Sequence, residues 1–591
     1  MGQDELREQA KTSARSSSFR EEVMHQVLQL PDFLESSLWN ISLYDMAVNL
    51  DQPHHYTSFE DYVAQRPLPP PRLWPWHAEG QATRPTGEGL ASAAARLRSG
   101  LKIAMLQLHD GTALELWASA EAPKAAKELR PIAMGSAVSK LFSRLLLNRA
   151  LPALMPHTYA QCSGKGRQTS DFLFTIVRLF DLAREWGNSL VVFKLDLEKA
   201  FDSLDRSKLL DRLEQKIGQG AEMNCWRGLL RGTSAWLQTP WGSSRVQMSK
   251  GIKQGGIESP VFFAHIAELV LAEAVDKYRW RHMVPLYPDL APEEMMYMDD
   301  GLLWNSAITV VETRAQQLSV EFIKYGLRLN PLKCQLYVSP NTEGRHYIIL
   351  DGVKVQASPS LQVMGITLRV GISVYELVAP AVTRARAKFW ELKHLFRAKG
   401  YMKQRARVMQ RVIGATALWF ICVVPPDKAA MTALNSAQLQ LMVWLLRFAK
   451  RGEETWEDFR KRAFRGARAA LYASGLERWS TLWLRRYWGY AGHRVRTVLS
   501  AQPPISTDFE HFRTLPWWQY QQSLKSKGLK HKGRHYARLT ALEQNLDAVA
   551  GSPWRQLAHD RAAWKAREDA WVTRMDVPWS SGRQLSIGDS Q

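Results

Sequence analysis

The sequence predicts an α/β catalytic unit between about residues 100 and 370, followed by an almost wholly helical and basic region. Three observations carry that prediction. Strand-like apolar runs ending in acids interleave with helical periodicities in the first part. Helical spacing rich in Arg, Lys and Trp fills the second. The 591 residues hold 78 Lys and Arg against 57 Asp and Glu, a net charge of +21. With 46% hydrophobic residues there is material for a large core and several structural units. A pI near 9.8 draws such a protein to polyanions, nucleic acid or acidic membrane, and charge alone does not choose between them.

Residues 1–100 are polar and Ser-rich and lead into RPLPPPRLWPWH (66–77), whose prolines suit an extended linker. From 100 to 185 helical and turn signals alternate. SAVSKLFSRLLLNRALPALM (136–155) reads as a helix, because its Leu and Phe recur at steps of three and four. SLVVFKLDLEKAF (189–201) then switches to a β pattern that closes in acids, SPVFFAHIAELVLAEAVDKYRW (259–280) returns to a helix, and EMMYMDDGLLWN (294–305) is a second β-type run. Segments 375–450 and 455–591 read as almost wholly helical.

YMDD (297–300) places two carboxylates between apolar runs, where like-charge repulsion and desolvation both penalise them. Such a pair on its own is most often a solvated turn. Here it falls at the tip of an expected hairpin, and if the two β runs are neighbours Asp196, Asp299 and Asp300 converge. Mg²⁺ takes oxygen ligands and keeps water, so a few carboxylates plus substrate phosphates suffice to hold it. Two such ions about 4 Å apart activate an attacking hydroxyl and stabilise a leaving oxygen in phosphoryl transfer.

Cys162, Cys225, Cys334 and Cys422 are scattered without CxxC pairs, which argues for a reducing compartment and against a zinc knuckle. The start MGQDELREQAK is charged, and the longest apolar stretch, VIGATALWFICVV (412–424), is too short for a bilayer and reads as a buried helix. A soluble, intracellular protein with no membrane partner is expected. The 23 Trp, many in RWSTLWLRRYWGYAGHRVR (478–496), suit core packing for the most part, with base stacking as a second use.

LDLEKAFD (195–202), GIKQGGIESP (251–260) and YMDD, in that order and at those spacings, resemble the motif series of reverse transcriptases. EAPKAAKELRPIAM (121–134), QCSGKGRQTSDFLF (161–174), GLRLNPLKCQL (326–336) and LQVMGITL (361–368) resemble further segments of the same family, most of all its non-LTR retrotransposon members. The resemblance implies a right-hand polymerase: fingers and an α/β (α+β) palm with an antiparallel sheet over 104–370, a helical thumb over 375–450 and a helical basic C-terminal region over 455–591. It implies Asp196, Asp299 and Asp300 as catalytic metal ligands for two Mg²⁺, with Mn²⁺ as substitute, and Lys333 as the acid for leaving pyrophosphate. Lys124 and Arg130 match positions that hold the incoming dNTP, a four-charge ligand suited to a cationic pair. Gln254 and Gly255 match positions facing its sugar and the template; a residue without Cβ lets the backbone approach closely. Phe201 stands where RNA-dependent RNA polymerases carry an acid that bonds a ribose 2′-OH; a ring there selects deoxynucleotides, unless it is simply a strand-end core residue. Arg167 matches a template contact, and VMGITL has Met where Tyr-Leu is common in the primer-gripping loop. The double Gly of KQGGIESP is as similar to group II intron enzymes, and YMDD replaces the more usual FADD.

TRARAKFWELKHLFRAKGYMKQRARVMQR (383–411) puts Lys388, Lys393 and Arg397 beside a stripe of Phe389, Trp390, Leu395 and Phe396, as expected of a thumb that packs on a palm and meets a nucleic-acid backbone. KSKGLKHKGR (525–534) is a basic run suited to RNA or to nuclear import. Residues before 100 lack nuclease constellations and no Cys follows 422, so DNA cutting is expected from a separate endonuclease. The expected partners are an RNA template, a DNA primer and dNTPs, in the nucleus. Two rivals stay open: a catalytically silent RNA-binding or maturase-like protein that retains the fold, and a decayed element product.

Overall fold

The computed structural model describes residues 137–576 apart from short gaps, preceded by the backbone of three strands between 102 and 134. Those strands are β1 (Lys102–Leu108), β2 (Ala113–Ala118) and β3 (Leu129–Met134). Helices α1 (Ala137–Ala150) and α2 (Thr169–Trp186), then strand β4 (Val191–Leu195), follow. After two short helices, the hairpin of β5 (Thr233–Thr239) and β6 (Gly242–Met248) returns to the first strands, giving a five-stranded antiparallel sheet of order β3-β2-β1-β5-β6. Helix and turn signals are what the sequence offers over the first of these strands. KIAMLQL and ALELWA contain almost no β-branched residues, so pairing with neighbours rather than local propensity makes them strands.

The second sheet carries the acids. Helix α3 (Ser259–Lys277) leads to the hairpin of β7 (Glu294–Tyr297) and β8 (Asp300–Asn305), and α4 (Ile308–Ile323) precedes β9 (Gln335–Val338), β10 (Tyr347–Leu350) and β11 (Val353–Ser358). The order is β10-β11-β9-β4-β8-β7, antiparallel except where β11 runs parallel to β9. A small hairpin, β12 (Leu361–Val363) with β13 (Ile366–Leu368), follows. Both faces of the six-stranded sheet are covered, which is why its central strands read as near-continuous apolar runs. Val191, Phe193 and Leu195 of β4 point into one core with α1, α3 and α4, while Val192 points into a second with α2 and the C-terminal helices. In β8, Leu303 joins the first core and Leu302 and Trp304 join the second, the period of two that a strand imposes.

From α5 (Val374–Glu391) through α6 (Met402–Leu418), α7 (Lys428–Leu446), α8 (Trp456–Ala473) and α9 (Trp479–Thr497) the described chain is helical, as are the shorter segments after it. The stretch 412–424 divides between the end of α6 and a 3-10 turn at Ile421–Val423, buried except at exposed Val412, Ala415 and Trp419 and half-buried Thr416 and Cys422. Trp479, Trp483, Trp488, Trp554 and Trp571 are among the largest fully buried side chains, so these indoles serve packing. Trp488 and Trp564 stack 3.7 Å apart and each donates its indole N–H to the other's carbonyl at 3.0 Å.

A buried polar junction ties this helical region to the unit that carries the acids. Asp171, with no exposed surface, receives the Gln168 backbone N–H on Oδ2 at 3.0 Å, and the hydroxyls of Tyr490 (3.1 Å) and Ser506 (3.2 Å) on Oδ1. All four cysteines are free thiols, and among the described residues no helix is long and apolar enough to cross a membrane.

Candidate active site

The geometry of the acids follows from strand register. β4 pairs with β8 antiparallel, ending at Leu195 opposite Gly301, so the next step along each strand brings Asp196 towards Asp300. Gly301 leaves room for the Leu195 side chain opposite it: a Cβ there would stand 2.6 Å from Leu195 Cδ1. The hairpin turns through Met298 and Asp299, with Met298 at φ 57, a left-handed conformation that costs a residue with a side chain on the order of 1 kcal/mol. The expected hairpin tip is therefore where Asp299 and Asp300 lie.

The three carboxylates are not equivalent. Asp300 Oδ1 accepts from Lys194 Nζ at 3.0 Å, a cross-strand pair on the β4–β8 face. Asp299 stays in contact with solvent at the tip, yet the cleft around it raises its carboxyl pKa; the charges of Asp300 and Asp196 raise it further, against a backbone hydrogen bond and Lys194, which lower it. Beneath Asp196, the Cys334 thiol accepts its backbone N–H at 3.4 Å, and burial pushes that thiol up to about 11. Among the described residues no three His, Cys, Asp or Glu side chains close around an ion unaided. One or two carboxylates completed by water and substrate phosphates are what Mg²⁺ takes, and mutually repelling Asp196 and Asp299 fit that donor set.

The other motifs assemble around these acids through backbone bonds. Residues 160–162 add to the edge of β7, with Met296 N–H to Ala160 at 2.9 Å and Cys162 N–H to Met296 at 2.8 Å. Segment 328–330 runs beside 196–198, with Asn330 N–H to the Asp196 carbonyl at 2.8 Å. Loop 251–256 is strapped to 201–204: Ile252 N–H reaches the Phe201 carbonyl at 2.7 Å, and Gln254 Nε2 donates to Asp202 Oδ2 at 2.9 Å. The close backbone approach in this motif falls at Gly251, where a Cβ would meet the Asp202 carbonyl at 2.6 Å; exposed Gly255 instead adopts φ 97.

Phe201 lies half-buried on the short helix Ala200–Ser203, its ring stacked 4.9 Å from Phe263 of α3. Lys333 is exposed on the turn that Asn330 opens. The Arg167 guanidinium is drawn inward, donating to the carbonyls of Thr158 (2.5 Å) and Gln161, and so fixes the loop that pairs with β7. Lys388 pairs with Glu391 at 2.8 Å and Lys393 is exposed. Lys124 lies outside the described residues; of Arg130, on β3, and Arg397, on the short helix Lys393–Arg397, only the backbone is described.

Sequence reasoning missed Lys194, Gly301 and Asp202, although all three sit within or beside its motifs. It also missed the base of the hairpin. There Glu293 Oε2 accepts from Arg314 Nη1 at 3.0 Å and from Asn305 Nδ2 at 2.8 Å, and Glu294 pairs with Arg281. Burial raises the Glu293 pKa, while the Leu286 N–H, Arg314 and Asn305 lower it.

Residues 122–368 match the family model described as reverse transcriptase (RNA-dependent DNA polymerase). No curated protein matches the chain. Similar solved structures include a telomerase from Candida albicans in complex with the TWJ fragment of telomeric RNA, at 12% identity over 64% of this chain and 69% of that one, with a TM-score of 0.33. An apo telomerase from Candida tropicalis is similar at 11% identity over 77% and 71%, with a TM-score of 0.36.

Proposed function

We propose, from the premise that a chain with a reverse transcriptase domain over residues 122–368 is an RNA-directed DNA polymerase, that this one extends a DNA primer on an RNA template as the polymerase of a non-LTR retrotransposon-like element. The observation that carries the reading is the meeting of Asp196 with the Asp299–Asp300 turn at one end of β4 and β8. Asp196 and Asp299 would hold divalent ions, Mg²⁺ or Mn²⁺, beside Asp300. Bound there, the ions supply activation of the primer 3′-hydroxyl and neutralisation of the leaving pyrophosphate. The protein's own work is positioning and charge compensation.

Lys194 fixes Asp300, and the Phe263 ring fixes Phe201, which fills the space a ribose 2′-OH would need. Asp202 orients Gln254 towards the incoming nucleotide beside Gly255. Lys124 and Arg130 clamp the triphosphate, and Lys333 gives its Nζ proton to the leaving group. Arg167 acts on the template through the loop it holds. Residues 104–370 serve as fingers and palm, and 375–450 as a thumb whose Lys388, Lys393 and Arg397 face the nucleic-acid backbone. A nuclear location and a separate endonuclease complete the reading.

Primer extension by the purified protein on an RNA template with an annealed DNA primer tests it. Extension with dNTPs but not rNTPs, lost in Asp299→Ala, supports the reading, and Phe201→Ala should admit rNTPs. Folded wild-type protein that binds the primer–template and adds no nucleotide with either metal would instead support a silent RNA-binding role.

A further inference from the structure

Helical spacing puts Trp390 and Leu395 in one apolar stripe with Phe389 and Phe396, but the structure divides them. Phe389 and Phe396 are 3% and 2% exposed and stack face to face, 4.7 Å apart and 5° from parallel. Trp390 and Leu395 are 41% and 47% exposed. Trp390 stands edge-on to Phe389 at 5.6 Å and leans on Trp444 of α7 at 4.7 Å, so one face of an aromatic box opens outward. The concavity these rings line holds about 450 Å³, with Lys393 and Arg447 as the cations of its lining. An exposed indole in a recess leaves apolar area in water that a flat ligand would cover.

We propose that this recess is a binding site for one unpaired base of single-stranded nucleic acid, with the base stacked against Trp390 and the flanking phosphates met by Lys393 and Arg447. Aromatic faces interleaved with cations are the chemistry of sequence-tolerant single-strand binding, and a base inside a duplex has no free face to offer. The charge pattern extends the same way. Exposed Lys450 and Arg451 follow Arg447, and Lys450 lies 5.8 Å from the ring centre of Trp456, an indole 73% exposed at the start of α8. Trp390 and Trp456 thus offer two stacking stations with cations between them in sequence. The polymerase reading supplies the strand that would be bound, but the site stands on its own geometry.

Oligonucleotides carrying one 2-aminopurine, as single-stranded RNA, single-stranded DNA or blunt duplex, test this with the full chain. Wild-type protein should quench the fluorescence of single strands. Trp390→Leu should abolish the quenching and weaken single-strand binding about ten- to a hundredfold, the range for losing one stacked base. Trp390→Phe should keep most of both, and duplex affinity should change less than twofold. Whether RNA or DNA is held more tightly separates a template strand from a primer or product strand. Lys393→Gln, on a solvent-facing position, should weaken single-strand binding a few-fold and reduce its salt dependence.

The proposal is overturned if folded Trp390→Leu quenches and binds single strands like wild type, or loses duplex and single-strand affinity alike. Primer extension by the wild-type protein separates the two readings. Quenching intact in a protein that never extends a primer would sink the polymerase and leave the pocket, and extension without any Trp390-dependent quenching would do the reverse.

Discussion

The two ends of the β7–β8 hairpin each gather acids, and they treat them in opposite ways. At the base, Glu293 and Glu294 are buried, and each has an arginine, Arg314 and Arg281. At the tip, Asp196 meets the Asp299–Asp300 turn, and Lys194 is committed to Asp300. Desolvation raises the pKa of Glu293, in the core, and of Asp299, in the cleft at the solvent-facing tip, but Arg314 and Asn305 push the first back down while Asp300 and Asp196 push the second further up against Lys194. A carboxylate whose surroundings repay its desolvation holds the fold together, whereas one whose surroundings compound it marks where a cation from outside belongs.

Removing the uncompensated acid should have the largest effect. Asp299→Ala should lower primer extension on the order of a thousandfold or more while primer–template affinity in a filter-binding assay stays near wild type. At the base the loss should appear in stability instead. Arg314→Leu strands Glu293 in the core and should cost about 3–5 kcal/mol in urea unfolding, with part of it recovered in Arg314→Leu/Glu293→Leu. Gly301→Ala drives a methyl against the buried Leu195 side chain and should cost about 1–3 kcal/mol, eased by trimming Leu195 to Val.

The smallest effect sharpens the comparison by its sign. A carboxyl whose folded pKa lies above its unfolded value binds more protons when folded, so its contribution is full at low pH and is lost as pH rises from the ordinary Asp range, about 3.9, through the raised value. In EDTA at pH 7, Asp299→Asn should therefore melt slightly higher than wild type, and the gap should close at pH 3. A lower Tm for Asp299→Asn at pH 7 would mean that the tip acids are compensated after all.

What could be read in the sequence was what is written locally. YMDD between apolar runs places the hairpin and its acids, and LDLEKAFD places Asp196, because alternation and turn chemistry need only a few residues. Lys194 and Gly301 lay within the same stretches, but their roles depend on the register of β4 against β8. Arg314 meets Glu293 from a helix 21 residues on, and nothing in its surroundings sets it apart from a solvated arginine. The strands β1 and β2 were illegible for the same reason: their residues acquire a preference only from the partners beside them. Of the aromatic stripe on α5, the spacing showed which residues share a side of the helix but not where α7 would stop covering them.

Tyr490 and Asp171 are 319 positions apart, and each closes the other's hydrogen bonding inside one core. A shortened chain ending near residue 450 would leave Asp171 without the hydroxyls of Tyr490 and Ser506 and would open an apolar face over α2 to water. The basic helical region is thus no pendant that an assay can dispense with. Calorimetry of the full chain should show a single transition in which the acid-bearing sheet and the tryptophan-rich helices melt together.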